Sequence, residues 1–314
     1  MTSNSINTTI LIKNNNTMNT IFKYSMMFAA ALTLAMGATS CSDDNNDDHV
    51  GTFGTNELKE VNADYVDNTI VATYRNLANY NKVLMTDINA MTDDAGVAKA
   101  CDTWRLSRKW WEFSEAFLFG AAGDYNIDPH TDTWPFDKTQ FENYMNLYKN
   151  LQLGGEGEQN ESATANIDEA ITTGQNLTGF HAVEYLIFRN GQPRHFADLT
   201  ANEIYFAKAA ARDLYISSLK LVSAWGGNVS ADEQTLLDEV EFASSINYGK
   251  NFKNAGNAGS TYSTTVLASK EIIAGAKEII GEVRDSKIGA PATGEDTNYI
   301  CLLYTSPSPR DYAA

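Results

Sequence analysis

The residues best placed to do chemistry are His181 and Glu184, which stand one helical turn apart in the apolar run 174–188. Residues three apart share one face of a helix, and Leu177 and Phe188 continue that face at spacings of four. A buried imidazole and carboxylate need partners. The pair therefore predicts either a metal site or a core histidine that is hydrogen-bonded to its own glutamate. A complete metal site needs at least one further protein ligand.

A second informative helix, predicted over residues 97–119, alternates spacings of four and three in the way that a helix-bundle seam does. The seam consists of Val97, Cys101, Trp104, Arg108, Trp111, Glu115 and Leu118. An unpaired charge in such a seam costs several kcal/mol. Glu112 follows Arg108 by four residues and offers it an intrahelical salt bridge. Glu115 has no such neighbour, so we expect it either to pair with Arg108 across the seam or to be functional.

The composition excludes several classes of protein. The chain has 314 residues, of which 43% are hydrophobic, enough for one large or two modest helical units with a core. Its net charge of −17 and the lack of a basic patch disfavour a nucleic-acid partner. Its three cysteines form no even set and no Cys-x-x-Cys motif. Neither a disulfide scaffold nor a zinc ribbon is therefore expected.

The first 40 residues are predicted to be a signal peptide whose true start is Met18, with a misplaced start codon upstream. The apolar run 26–36 is too short to span a bilayer as a mature helix. It ends in Ala38-Thr39-Ser40-Cys41, which resembles a bacterial lipobox. Cys41 is then the first mature residue and carries lipid. The alternative is an ordinary secretory signal with an incidental cysteine.

Residues 41–56 follow as an acidic tether, too polar to pack in a core. The acidic residues after Cys41 resemble the surface-export signal of some bacterial lipoproteins. We therefore expect the protein in the cell envelope of a Gram-negative-type bacterium, held at the outer membrane by its lipid. The membrane is then one of its partners.

The remaining chain predicts an all-α protein, an up-down helical bundle, because helical periodicity recurs without any strand signature. Helices are predicted over residues 58–91, 97–119, 138–151, 198–225, 231–246 and 263–284. A turn is expected at 189–193, and loops are expected at 153–165 and 247–261, where Gly, Ser and Asn accumulate. Of the other histidines, His49, His130 and His195 fall in predicted loops or turns.

Three segments resemble one known family, the imelysin-like proteins. Residues 179–184, Gly-Phe-His-Ala-Val-Glu, resemble the Gly-x-His-x-x-Glu signature of that family. Residues 108–120 are similar to its first block, an arginine with aromatic and acidic residues that ends in Phe-Gly. Trp134-Pro135-Phe136-Asp137 is similar to its Trp-Pro-x-Asp block. The resemblance covers residues 57–300, whereas residues 301–314 look like a non-native tail on a truncated gene.

The resemblance implies a fold, a location and a set of site residues. Imelysin-like proteins are bacterial envelope proteins, classed as metallopeptidases and linked to iron uptake. The family has two bundle-like halves, of which the second would be incomplete here. The implied metal site has His181 and Glu184 as ligands, with Glu115 and Asp137 as further acids. The supporting residues would be Arg108, Glu112, Trp134 and Gly179. Asp137 has an equally good alternative as the N-cap of the following helix.

The sequence therefore predicts an envelope-anchored, imelysin-like lipoprotein that binds a divalent or ferric metal ion, iron or zinc, and serves iron uptake with other uptake components. Imidazole with carboxylates suits these metals better than calcium. One alternative is a metallopeptidase of the imelysin type, although the chain has no His-Glu-x-x-His motif. The other is a metal-free module that binds a peptide or a sugar.

Overall fold

The computed structural model describes residues 54–133, 136–174 and 177–293. Several predicted features lie outside these ranges: the signal peptide, Cys41, most of the tether, Trp134 and the tail 301–314. The α-helices are α1 Thr55–Asp64, α2 Val71–Asn89, α3 Asp94–Ser114, α4 Ala121–Asp124, α5 Ile127–Asp132, α6 Lys138–Leu147, α7 Glu158–Thr173, α8 Gly179–Ile187, α9 Ala201–Ala224, α10 Ala231–Glu239, α11 Tyr248–Lys253, α12 Thr265–Glu282 and α13 Ala290–Thr293. The shorter elements are π-helical turns Tyr65–Ile70 and Val283–Gly289, 3₁₀ turns Glu115–Phe117 and Phe196–Asp198, and strands β1 Phe188–Arg189 and β2 Gln192–Pro193.

The all-α prediction is confirmed, and its centre is a layer of three long helices, α2, α3 and α9. Helix α1, the first π-helical turn and α2 follow one another without a break, as the single predicted helix 58–91 requires. Asn81 lies at the point where the three helices meet and is fully buried. Its amide donates to the carbonyl of Leu214, 3.1 Å away, and its oxygen accepts the Ser107 hydroxyl. A buried amide satisfied in this way fixes the register of the three helices.

Helix α3 has the predicted seam. Val97, Cys101, Trp104 and Trp111 are fully buried along it. The Trp104 indole donates to the carbonyl of Phe180 at 3.0 Å, which ties the seam to α8. Aromatic side chains that bury their ring and satisfy their N–H are strong anchors in a core. The seam thus holds α8, the helix of the Gly-x-His-x-x-Glu motif, against the bundle.

Two predicted loops are partly helical. Residues 153–165 include the start of α7, whose Ala163, Ile167 and Ile171 are buried at spacings of four. The polar composition of its first turns hid this periodicity, because only one face of α7 touches the core. Residues 247–261 contain the short helix α11, whose N-terminus is capped by the Asn247 side chain. A side-chain cap and a few aromatic contacts suffice to form a helix of this length.

Several predicted boundaries also change. The helices predicted over 138–151 and 231–246 end earlier, at Leu147 and Glu239. The turn predicted at 189–193 is confirmed, but it lies in a small antiparallel hairpin of β1 and β2 that was not predicted from the sequence. Across the described ranges, no helix combines the length and apolarity needed to cross a membrane.

Candidate functional site

A close approach between α5 and α8 builds the site. Gly179, the first residue of α8, has a φ of +78°, a conformation that favours glycine. A Cβ added there would lie 2.3 Å from the carbonyl oxygen of Thr131. Glycine therefore allows the start of α8 to rest on the last turn of α5. The contact sets His181, two residues further on, opposite Asp132.

Asp132, His181 and Glu184 form a continuous line of hydrogen-bonding groups. Nε2 of His181 lies 3.1 Å from Oδ1 of Asp132, and Nδ1 lies 3.1 Å from Oε2 of Glu184. The side chains of His181 and Glu184 are buried, Glu184 almost completely at 1% exposure, and that of Asp132 is 9% exposed. Two alternatives were predicted for this pair from the sequence, a metal site or a core histidine hydrogen-bonded to its own glutamate. The hydrogen bond between His181 and Glu184 is the one that the second alternative predicts.

Both imidazole nitrogens of His181 face a carboxylate, so two protons are needed to fill the two hydrogen bonds. Burial lowers the pKa of His181, but the bonds to Asp132 and Glu184 outweigh burial and raise it above its usual value. Burial raises the pKa of Glu184. The second proton is therefore held between His181 and Glu184, whichever of the two carries it. A metal ion bound by both would have to displace that proton.

Arg108 compensates the negative charge of Asp132. Its guanidinium, only 4% exposed, pairs with Oδ1 of Asp132 and lies 2.7 Å from Glu112. The predicted salt bridge to Glu112 is thus confirmed. Oδ2 of Asp132 accepts the Trp111 indole N–H at 2.9 Å. Burial would raise the pKa of Asp132, but Arg108 and His181 hold it well below its usual range.

Glu115 is not the partner of Arg108; in the structure its ion pair is with Lys287. Nζ of Lys287 lies 3.4 Å from Oε2 of Glu115 and 3.4 Å from Glu282. Burial, and next the charge of Asp132, raise the pKa of Glu115 to about 8. The charge of Asp132 acts on Glu115, so this acid borders the site.

Asp137 has its structural role as a helix cap. Its carboxylate accepts the backbone N–H of Gln140 at 2.8 Å and starts α6. Of the four predicted metal ligands, the structure brings His181 and Glu184 into contact, sets Glu115 beside them and leaves Asp137 exposed at the helix end. Among the residues described, no three His, Cys, Asp or Glu side chains converge as a metal ion requires.

One buried oxygen of the site nevertheless lacks a hydrogen-bond partner among the described residues. Oε1 of Glu184 has no hydrogen-bond partner within the described ranges, although it is inaccessible to solvent. A buried acceptor without a partner costs about 1–3 kcal/mol. With the imidazole of His181 and the carboxylate of Asp132, it makes a donor set of the kind that iron and zinc accept. The residue types therefore fit a metal ion, while their present arrangement is that of a hydrogen-bonded chain.

Sequence reasoning missed Asp132 and misplaced His130. Asp132 stands just before the Trp-Pro block, whereas the predicted ligand Asp137 stands at the other end of that block. His130 lies in α5, not in a loop, and is buried. It is held by Asp213 and by the carbonyl of Gly174, each at 2.6 Å. Residues two apart on a helix lie on different faces, so His130 and Asp132 contact different partners. Their spacing of two was the one sequence signal for this arrangement. His195 lies outside the helices, as predicted, is exposed and pairs with Asp94.

This helical architecture with a Gly-x-His-x-x-Glu motif on α8 defines a class, the imelysin proteins. The family model of imelysin, peptidase family M75, matches residues 70–311, and the chain belongs to that family. Iron-regulated protein A of Synechococcus elongatus is 27% identical over 231 residues, which are 72% of this chain and 53% of that protein. The chain thus spans about half the length of the curated relative it matches.

Two solved structures are also similar. A protein of Parabacteroides distasonis assigned as an iron-regulated protein A precursor superposes with a TM-score of 0.62 at 24% identity, covering 81% of this chain and 68% of that one. It supports the fold. An imelysin-like protein of Psychrobacter arcticum gives a TM-score of 0.44 at 11% identity, covering 79% of this chain and 80% of that one.

Proposed function

We propose that this imelysin-family chain binds a metal ion, iron in preference to zinc, through His181 and Glu184. The observation that carries the proposal is the buried oxygen Oε1 of Glu184, which has no hydrogen-bond partner in the described part of the chain. A charged acceptor of this kind is stabilised when a cation binds it.

Asp132 is the third candidate ligand. It already contacts Nε2 of His181, and Arg108 and Trp111 fix its carboxylate in place. A ligand held by such outer contacts keeps its orientation when the metal arrives. Glu115, beside the site, is a further candidate ligand. Its partner Lys287 is on a segment with no buried residue, so that ion pair can be exchanged for a metal ion.

The iron role is supported by the family and by the name of the relative, iron-regulated protein A. In this proposal the protein serves iron acquisition in the bacterial envelope, together with other uptake components. Lipid on Cys41 would hold it at the outer membrane, and the acidic residues that follow would form the tether. An acidic surface also attracts cations from solution, as the net charge of −17 implies.

The proposal is tested by metal content. The mature chain is stripped with a chelator, dialysed, reloaded with ferrous, ferric or zinc ion, and analysed by inductively coupled plasma mass spectrometry. We expect about one ion per chain in the wild type, and none in His181→Ala or Glu184→Gln, because a site of few ligands fails when one is lost. His195→Ala is the matched control, since that exposed histidine pairs with Asp94 and is not part of the candidate site.

Two results would overturn the proposal. The first is a wild-type chain that retains no metal under any of the three conditions. The second is retention that survives both substitutions, which would place the metal elsewhere. In the first case the polar cluster of α5 and α8 would be a metal-free contact for a peptide or a sugar.

A further inference from the structure

A cavity of about 450 Å³ lies where α9 ends against α11 and the first helices. Its walls are formed by Asp67, Val71, Trp225, Gly226, Asn247, Lys250, Lys253 and Asn254. It contains none of the residues of the candidate metal site. Its volume is within the range of cavities that hold small molecules.

The cavity wall is positive on a chain whose net charge is −17. Lys253 lies 2.7 Å from Asp67, so those two charges cancel. Asp67 is the one acid among the lining residues. Within the described ranges, the Lys250 ammonium forms no ion pair or hydrogen bond. One positive charge on the wall is therefore left for a ligand.

Trp225 adds a buried donor to this wall. The residue is 2% exposed, and its ring packs on Tyr248 and Phe119 at centroid distances of 5.8 and 6.0 Å. Its indole N–H has no acceptor among the residues that the structure describes. An indole N–H can only donate, and when buried it usually finds a partner. A ligand oxygen in the cavity would be such a partner.

Asn247 supplies a further N–H on the wall. Its Oδ1 accepts the backbone N–H of Lys250 at 2.8 Å as the cap of α11, which leaves the amide nitrogen as a donor. Gly226 has a φ of +77°, and a Cβ there would lie 2.6 Å from that amide nitrogen. The glycine thus lets the amide of Asn247 approach the end of α9.

We propose that this cavity binds a small organic anion that carries more than one carboxylate. The available groups are donors: an ammonium on α11, an indole at the end of α9 and an amide between them. Such a wall selects a ligand rich in acceptors, and charge-assisted hydrogen bonds to it are the strong ones. Because the donors come from different elements around a cavity of this size, the ligand must present oxygens at more than one position.

The test is isothermal titration of the metal-stripped mature chain with tricarballylate, a tricarboxylate whose lack of a hydroxyl group weakens metal chelation. Lys250→Gln should weaken binding about tenfold, the loss expected for one charge-assisted hydrogen bond. Asn247→Asp should abolish binding, because aspartate caps a helix as well as asparagine but brings a negative charge to the wall. Lys149→Gln is the matched control, because it removes the same charge from an exposed position that does not line the cavity.

Retention of tricarballylate by Asn247→Asp would overturn the proposal, because the anion would then be bound elsewhere. Failure of the wild type to bind tricarballylate would overturn it as well. Inorganic phosphate bound as tightly as tricarballylate would contradict the assignment to an extended carboxylate. The metal site and this cavity share no residue, so either proposal can fail without the other.

Discussion

Asp132 and His181 form the contact around which the site is built, with Oδ1 of the aspartate 3.1 Å from Nε2 of the histidine. The two residues are on different helices, α5 and α8, and their side chains are 9% and 6% exposed, respectively. Arg108 and Trp111 bind the same carboxylate and hold it in the orientation in which it contacts the imidazole. Asp132 thus links the seam of α3 to α8, the helix of the Gly-x-His-x-x-Glu motif.

The first prediction concerns this carboxylate. Asp132→Asn removes the charge that faces Arg108 while keeping the size of the side chain. We expect a loss of about 3 kcal/mol in the free energy of unfolding, since one partner of a buried ion pair is removed. Urea unfolding measures it. Asp137→Asn is the matched control and should change stability by less than about 0.5 kcal/mol, because asparagine caps a helix equally well. Equal effects of the two substitutions would contradict the account.

The second prediction concerns the glycine of the motif. Gly179→Ala should destabilise the protein by at least about 2 kcal/mol, because alanine pays about 1–2 kcal/mol for the left-handed conformation and its methyl also meets the Thr131 carbonyl. Gly281→Ala, in α12 where a Cβ would meet nothing within 4 Å, should instead stabilise by up to about 1 kcal/mol. Thermal unfolding of both variants measures the difference. A neutral Gly179→Ala would mean that α5 and α8 do not touch there.

The third prediction is a pH dependence. The pKa of Glu115 is about 8 in the folded protein, because burial and the charge of Asp132 raise it. Its usual value in an unfolded chain is about 4.3. Between these values the folded state binds the extra proton, so the contribution of Glu115 to stability falls as pH rises and becomes constant above about 8. Wild type should therefore lose stability relative to Glu115→Gln between about pH 5 and pH 8. A constant difference across this range would refute the shift.

The fourth prediction concerns the anchor. Cys41→Ser should release the protein into the soluble envelope fraction, because acyl chains supply the membrane affinity. Fractionation of cells at high salt, followed by immunoblotting, measures it. Ser40→Ala is a suitable control, because it keeps the cysteine and leaves a small residue before it. A Cys41→Ser protein that still sediments with membranes would show that lipid is not the anchor.

Local patterns predicted the seam and the motif helix, because both depend on spacing within one segment. Contacts between residues far apart in the sequence could not be predicted from local patterns. Lys287 meets Glu115 from 172 residues away, and no local signal links them. Asp132 meets His181 only because Gly179 allows two helices to touch. Helix α7 was missed because its polar residues resemble those of a loop and its three buried apolar positions are few.

Thermal unfolding with and without metal tests the central claim, that His181 and Glu184 bind a cation, most directly. Binding to the folded state at a hundredfold excess over the dissociation constant stabilises it by about 2.7 kcal/mol. We predict that ferrous or zinc ion raises the melting temperature of the wild type at pH 7.5, and less so near pH 5.5, where protons compete for the imidazole. The melting temperatures of His181→Ala and Glu184→Gln should not respond to either ion. An equal rise in these variants, or no rise in the wild type, would contradict the account.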